Sequence, residues 1–109
     1  MDLTQKHCVP CEGGDLPFTH KQTDEYLPKI GSEWSVAEDN KKIQRKYVFA
    51  DFKASMAFVN KVAGVAEEEG HHPDIFIHYE KVTLELTTYA IKGLSENDFI
   101  LAAKINEIK

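Results

Sequence analysis

From residue 20 onward the spacing of apolar positions changes period several times, and each change predicts a new element. Tyr26, Leu27 and Ile30 share one side of a short helix over about residues 20–29, with Thr19 or Thr23 available as its cap. At Trp34, Ser35 and Val36 the pattern becomes extended. Glu38, Asp39 and Asn40 supply a turn, after which Ile43, Arg45, Tyr47 and Phe49 alternate with Lys42, Gln44, Lys46 and Val48. That alternation predicts a β-hairpin whose second strand has one mostly apolar face. Asp51 is a good N-cap for the longest helix, residues 52–69. Phe52, Met56, Val59, Ala63 and Ala66 step by four and three, which predicts one buried stripe; Phe58, Val62 and Val65 widen it beyond what covering a small sheet requires. Gly70 ends this helix by accepting a left-handed conformation.

After the corner His71, His72, Pro73, two further extended runs at 75–79 and 82–88 predict a second hairpin. Val82, Leu84 and Leu86 alternate there with Thr83, Glu85 and Thr87, giving one buried and one wetter face. Gly93 and Leu94 lead to a final helix with Ser95 as N-cap, Asp98 at the capping-box position, and Phe99, Ala102, Ala103 and Ile105 on its inner side. The order α-β-β-α-β-β-α predicts an α+β fold: a four-stranded antiparallel sheet with helices packed on one face. Residues 1–18, which include Pro10, Gly13, Gly14 and Pro17, read as an irregular N-terminal segment, and 19–109 as the single domain.

Composition narrows the class. A chain of 109 residues is one ordinary domain, and 42% hydrophobic with 28% charged residues is globular usage. No apolar run approaches the ~20 residues a membrane-spanning helix needs, and the first eighteen residues hold no continuous apolar core of a secretory signal, so a cytoplasmic protein is expected. A formal charge of −5 argues against a nucleic-acid groove. The densest basic cluster, Lys41, Lys42, Arg45 and Lys46, reads as a solvated hairpin. Cys8 and Cys11 form a Cys-x-x-Cys in a loop-like context; a reduced pair without essential chemistry, a metal role and a redox role all stand.

The chemistry-bearing residues gather after the long helix. His71, His72 and His78 fall within eight residues, and histidine exchanges protons near neutral pH. Glu67 lies one helical turn before His71, where its carboxylate can orient that imidazole. Pro73 stiffens the corner. Three readings stand on these residues alone: a pair that caps helix carbonyls, a proton-transfer site, or a metal site with His78 and nearby carboxylates. Asp98 reads as a cap, Trp34 as core, and at least two of Glu67, Glu68 and Glu69 as a solvated helix end.

The run Glu67-x-x-x-His71-His72-Pro73, followed by Tyr79-x-x-Val82, Thr87-Thr88 and Gly93-Leu94-Ser95-x-x-Asp98, resembles the signature of pterin-4a-carbinolamine dehydratases. The stretch Tyr47-x-Phe49-x-Asp51-Phe52 and residues 56–62 are similar to that family too, so the resemblance spans about residues 19–107. It implies loss of water from a 4a-hydroxytetrahydropterin to give the quinonoid dihydropterin, in the recycling of tetrahydrobiopterin, by acid/base catalysis with neither metal nor cofactor. His71 and His72 match two of the family's active-site histidines, and Glu67 matches its associated acidic residue. Thr87, Thr88 and Tyr89 lie where the family has its second pterin-contacting segment, and Pro73 belongs to the first. A third histidine usually follows the residue matching Thr88; here that residue is Tyr89. The resemblance further implies a homodimer or homotetramer, with an aromatic amino-acid hydroxylase as metabolic neighbour. Its alternative is a non-enzymatic binding, assembly or transcriptional-cofactor module on the same fold.

Overall fold

Alternation along the two hairpins builds a single sheet, and the computed structural model describes it within residues 3–9 and 16–108. The strands are β1 (Ser35–Ala37), β2 (Lys42–Val48), β3 (Asp74–His78) and β4 (Lys81–Leu86), in spatial order β1-β2-β4-β3, with every neighbour antiparallel. The central β2–β4 pair sets Ile43 opposite Leu86, Arg45 opposite Leu84 and Tyr47 opposite Val82. Ile43, Val82, Leu84 and Leu86 are fully buried, so this face carries the core. Among the described residues there are three α-helices: α1 (His20–Tyr26), α2 (Phe52–Glu69) and α3 (Glu96–Asn106). This is the α+β sandwich the periodicity predicts.

Short-range signals set the ends of the elements. Thr19 caps α1 through a hydrogen bond from the Gln22 N–H, and the chain tightens to a 3-10 turn at Leu27–Lys29 because Pro28 brings no N–H to continue the helix. Asp51 accepts from the Ala54 N–H to start α2, and Gly70, at φ 66°, ends it. Glu38, Asp39 and Asn40 turn the first hairpin in three successive left-handed conformations, a region that Asp and Asn tolerate best among side-chain-bearing residues. The second hairpin is shorter than its apolar run suggests. Thr87 and Thr88 leave the ladder, and Thr88 instead bridges Gly93.

Two packing expectations are corrected. The buried side of α2 is Ser55, Val62, Ala66 and Glu69, with Phe58, Val59 and Val65 half-buried against the core. Phe52 and Ala63, expected inside, are exposed. The helix carries two adjacent apolar stripes, and periodicity cannot say which one meets the sheet. Helix α3 is buried nearly all round, with Asn97, Asp98, Ile100 and Leu101 inside as well as the predicted positions. Its further side is covered by a 3-10 turn at Leu3–Gln5, whose Leu3 joins the same core. The N-terminal segment therefore packs on the domain at residues 3–9; the loop expected at residues 10–14, with Cys11, lies outside the described residues. Trp34 is core, its indole N–H donating to Asn106 at 2.8 Å. No helix among the described residues is long and apolar enough to cross a membrane.

Candidate active site

Gly70 is where the scaffold turns into a site. Its left-handed step swings the chain off α2 while its N–H still reaches the Ala66 and Glu67 carbonyls. The His71 N–H also bonds the Ala66 carbonyl, at 3.3 Å, so the corner is anchored on the helix end. Because His71 follows that step, it does not continue the helical spacing, and Glu67 does not meet it. Glu67 Oε1 lies 2.6 Å from Nε2 of His72 instead. His71 Nε2 meets Asp98 Oδ1, at 2.6 Å, from the first turn of α3.

The two imidazole–carboxylate pairs live in different solvents. The His71 side chain is 12% exposed and that of Asp98 is 0% exposed, whereas His72 and Glu67 are 60% and 78% exposed. Asp98 is also satisfied on its other oxygen, where Oδ2 accepts from the Thr88 hydroxyl at 2.9 Å and from the Ser95 N–H at 3.0 Å. With Thr88 donating to Asp98, the Ser95 hydroxyl donates to Thr88 at 2.8 Å. The Asp98 carboxylate thus meets polar partners on both oxygens, two donors on Oδ2 and the His71 ring on Oδ1. An ionised partner places the ring proton on Nε2, which leaves Nδ1 of each histidine for proton exchange. Asp98 is thus both the capping-box residue the sequence predicts and the partner of a site histidine, a second role that only the fold reveals.

Opposite the histidines stands the segment after β4. Thr87 turns its hydroxyl to the Lys41 and Gly93 carbonyls and Thr88 to Asp98, so both hydroxyls brace the loop. Gly93 is needed there because a Cβ would fall 2.6 Å from Cβ of Pro17. Tyr89 is exposed and donates its phenol O–H to Asp74 Oδ2 at the start of β3. That hydrogen bond, with burial and the carboxylate's charge behind it, pushes the Tyr89 pKa up from 10.0 and keeps the phenol protonated. His78 sits beside the turn of the second hairpin, in register with Lys81, away from this corner.

A cavity of about 510 Å³ opens between these groups, within the range of small-molecule sites. His71, His72, Pro73, Asp74, Thr87, Thr88 and Tyr89 line it from the domain, and Cys8, Val9 and Asn97 close another side. The Cys8 N–H donates to Glu69 Oε1 at 2.8 Å, and Asn97 exchanges two hydrogen bonds with the Val9 backbone, at 3.0 and 2.6 Å. Lys104 Nζ and His7 Nδ1 hold the other Glu69 oxygen at 2.6 and 3.1 Å. Burial pushes the Glu69 carboxyl up, yet Lys104, the Cys8 N–H and His7 more than reverse this and hold its pKa at about 2. Among the described residues no three His, Cys, Asp or Glu side chains converge as metal ligands.

Sequence reasoning brings His71, His72, Glu67, Pro73 and Tyr89 to one corner, and the fold adds Asp74, Asp98, Asn97 and the strap of residues 6–9. Two relatives match nearly the whole of this chain, and two solved structures match most of it. A protein of Halorhodospira halophila, provisionally named a pterin-4-alpha-carbinolamine dehydratase, is 44% identical over 108 residues, covering 99% of this chain and 98% of that one. One of Legionella pneumophila with the same provisional name is 42% identical over 107 residues, covering 98% and 95%. The crystal structure of a transcriptional coactivator/pterin dehydratase from Brucella melitensis superposes with a TM-score of 0.76 at 30% identity, covering 83% of this chain and 95% of that one. A pterin dehydratase-like protein described as a RuBisCO assembly factor in the alpha-carboxysome shares the fold, with a TM-score of 0.60 at 22% identity over 71% of this chain and 89% of its own. The family model for pterin 4 alpha carbinolamine dehydratase matches residues 16–108, and with these relatives it shows that the chain belongs to that family.

Proposed function

We propose that the protein dehydrates a 4a-hydroxytetrahydropterin to the quinonoid dihydropterin, serving tetrahydrobiopterin recycling. The observation that carries this reading is the pair of carboxylate-held imidazoles, His71 with Asp98 and His72 with Glu67, lining one cavity of pterin size. The reaction needs two proton transfers at one ring edge. The nitrogen lone pair next to carbon 4a expels the hydroxyl, which takes a proton as the C–O bond breaks and leaves as water; the nitrogen then gives up its own proton. A protonated imidazole serves the first transfer and a neutral one the second. The contrast in burial divides the work. His71, held by a buried charge, is the fixed base, and His72, solvated and beside Glu67, is the acid that regains its proton from water.

Pro73, Thr87 and Thr88 shape the walls, and Tyr89 offers the pterin a hydrogen-bonding group that stays protonated in place of a third histidine. The exposed Phe52, with half-buried Met56 and Val59 on α2, supports a homodimer or homotetramer. An aromatic amino-acid hydroxylase is the metabolic neighbour that supplies the substrate; nucleic acid and membrane have no part. A second reading, a non-enzymatic assembly or coactivator module, draws on Tyr89 and on the coactivator and assembly roles in the names of two proteins of this fold. Stopped-flow dehydration of freshly generated 4a-hydroxytetrahydropterin separates the two. Turnover well above the spontaneous rate, lost in His71→Ala, is expected; a wild-type rate equal to the buffer's would leave only the second.

A further inference from the structure

Two sets of anchors hold the N-terminal strap, and only one of them faces the core. Leu3 is buried among core side chains, and Lys6 Nζ pairs with Glu96 Oε2 at 2.8 Å, a carboxylate that Tyr26 also bonds. Those contacts dock the segment on α3. The second set lies two residues further on, at the cavity, and it grips backbone. Glu69 takes the Cys8 N–H, and Asn97 takes both polar groups of Val9. Glu69 and Asn97 are buried polar residues, one at the end of α2 and one at the start of α3, and each uses its side chain on the strap. Gripping N–H and C=O of one residue fixes where its side chain stands. That residue, Val9, is apolar, 64% exposed, and lines the cavity beside the histidine corner.

We infer that the strap, through Cys8 and Val9, is a built wall of the pterin pocket and that Val9 is a substrate-positioning residue, giving the flat ring of the ligand an apolar surface to lie against. This rests on the pterin reading above. The chemistry fits a planar heteroaromatic ligand: its edge carries the polar groups that the histidines and Tyr89 address, and its faces gain by leaving water. Covering an exposed valine side chain contributes about fivefold to tenfold in affinity. Val9 touches no reacting atom in this scheme, so its effect belongs in binding and not in the chemical step.

The test uses the full chain and compares Val9→Asp and Val9→Ala with Val48→Asp, a control that adds the same charge at an exposed valine of β2 outside this cavity. KM and kcat come from stopped-flow dehydration, and Kd from fluorescence titration with 7,8-dihydrobiopterin. The expected result is that Val9→Asp raises KM and Kd together, about tenfold, with kcat within twofold of wild type, while Val9→Ala raises them less and Val48→Asp leaves them unchanged. Asn97→Ala, which frees the Val9 backbone, is expected to raise Kd in the same direction. If Val9→Asp matches Val48→Asp, or if it lowers kcat at constant KM, the positioning role is overturned while the pterin reading stands. A wild-type protein that neither binds dihydrobiopterin nor speeds dehydration would remove that reading and the strap's role with it.

Discussion

Replacing Asp98 by asparagine keeps the shape of the side chain and removes one thing, a buried charge that three donors address. The amide has a single acceptor oxygen. If that oxygen faces Thr88 and Ser95, the NH2 group confronts Nε2 of His71, which must then accept; its proton moves to Nδ1, and the ring offers the cavity a donor where it had an acceptor. If the amide is turned round, its NH2 confronts the Ser95 N–H, which cannot reverse, and a buried donor goes unmet. Either outcome loses a hydrogen bond to a charged group, about 1.5–3 kcal/mol. At about 4 °C per kcal/mol for a domain of this size, the melting temperature falls by roughly 6–12 °C. Under the proposed function, the dehydration rate at 25 °C, where the variant is still folded, falls about 100-fold or more, because the proposed base, His71, carries the wrong tautomer. Ser95→Ala is the companion variant. It removes the hydroxyl beside Thr88 and weakens the start of α3 by about 1 kcal/mol, yet leaves the His71–Asp98 contact in place. Thermal unfolding by circular dichroism and stopped-flow rates on both variants distinguish the roles. A folded Asp98→Asn protein with a rate within threefold of wild type, or equal rate losses in the two variants, would refute the argument.

Three further outcomes are expected. Tyr89→His should speed dehydration of at least one 4a-stereoisomer, measured on each isomer separately; unchanged rates on both would end the idea that Tyr89 limits the site. Glu69 ionises at about 2 in the folded chain against an ordinary 4.5, so its clasp stabilises fully above 4.5 and fades as the pH falls toward 2. Glu69→Gln should therefore unfold at lower urea than wild type at pH 7, with the gap closing below pH 4.5; a gap independent of pH would contradict this. Gly93→Ala should lower stability by about 1–3 kcal/mol, since the new Cβ meets Pro17 at 2.6 Å, and unchanged urea midpoints would show that the Pro17 segment yields freely.

The elements were legible where their causes are local. Asp51 and Gly70 bound α2 at the residues their chemistry requires, and alternation from Ile43 to Tyr47 gave the strand and its buried face. The phase of α2 was not legible, because two apolar stripes lie side by side and the choice depends on what the sheet and α3 present. The site divides in the same way. The corner at His71, His72 and Pro73 could be read from residue types alone, but its partners could not. Helical spacing pairs Glu67 with His71, and a single left-handed residue between them shifts it to His72. Asp98 stands 27 positions from His71, so only the packing of α3 against the end of α2 joins them. The strap is the extreme case: nothing in residues 6–9 signals a wall until Glu69 and Asn97 are seen to hold it.

Asp98 closes the first turn of α3 with the same carboxyl group that steadies His71, so inheritance of the fold and inheritance of the proposed reaction are tied at that point. A descendant that abandoned the chemistry would still need the buried carboxylate, and a buried carboxylate still needs a donor at the His71 position. This half of the corner is protected from drift by the stability of α3. The solvated half is not, since His72 pairs with Glu67 and Tyr89 with Asp74 in exposed hydrogen bonds, and these residues are free to change once no substrate selects them. On the proposed reading, the exposed residues are the ones expected to separate a working dehydratase from a protein that has kept only its shape.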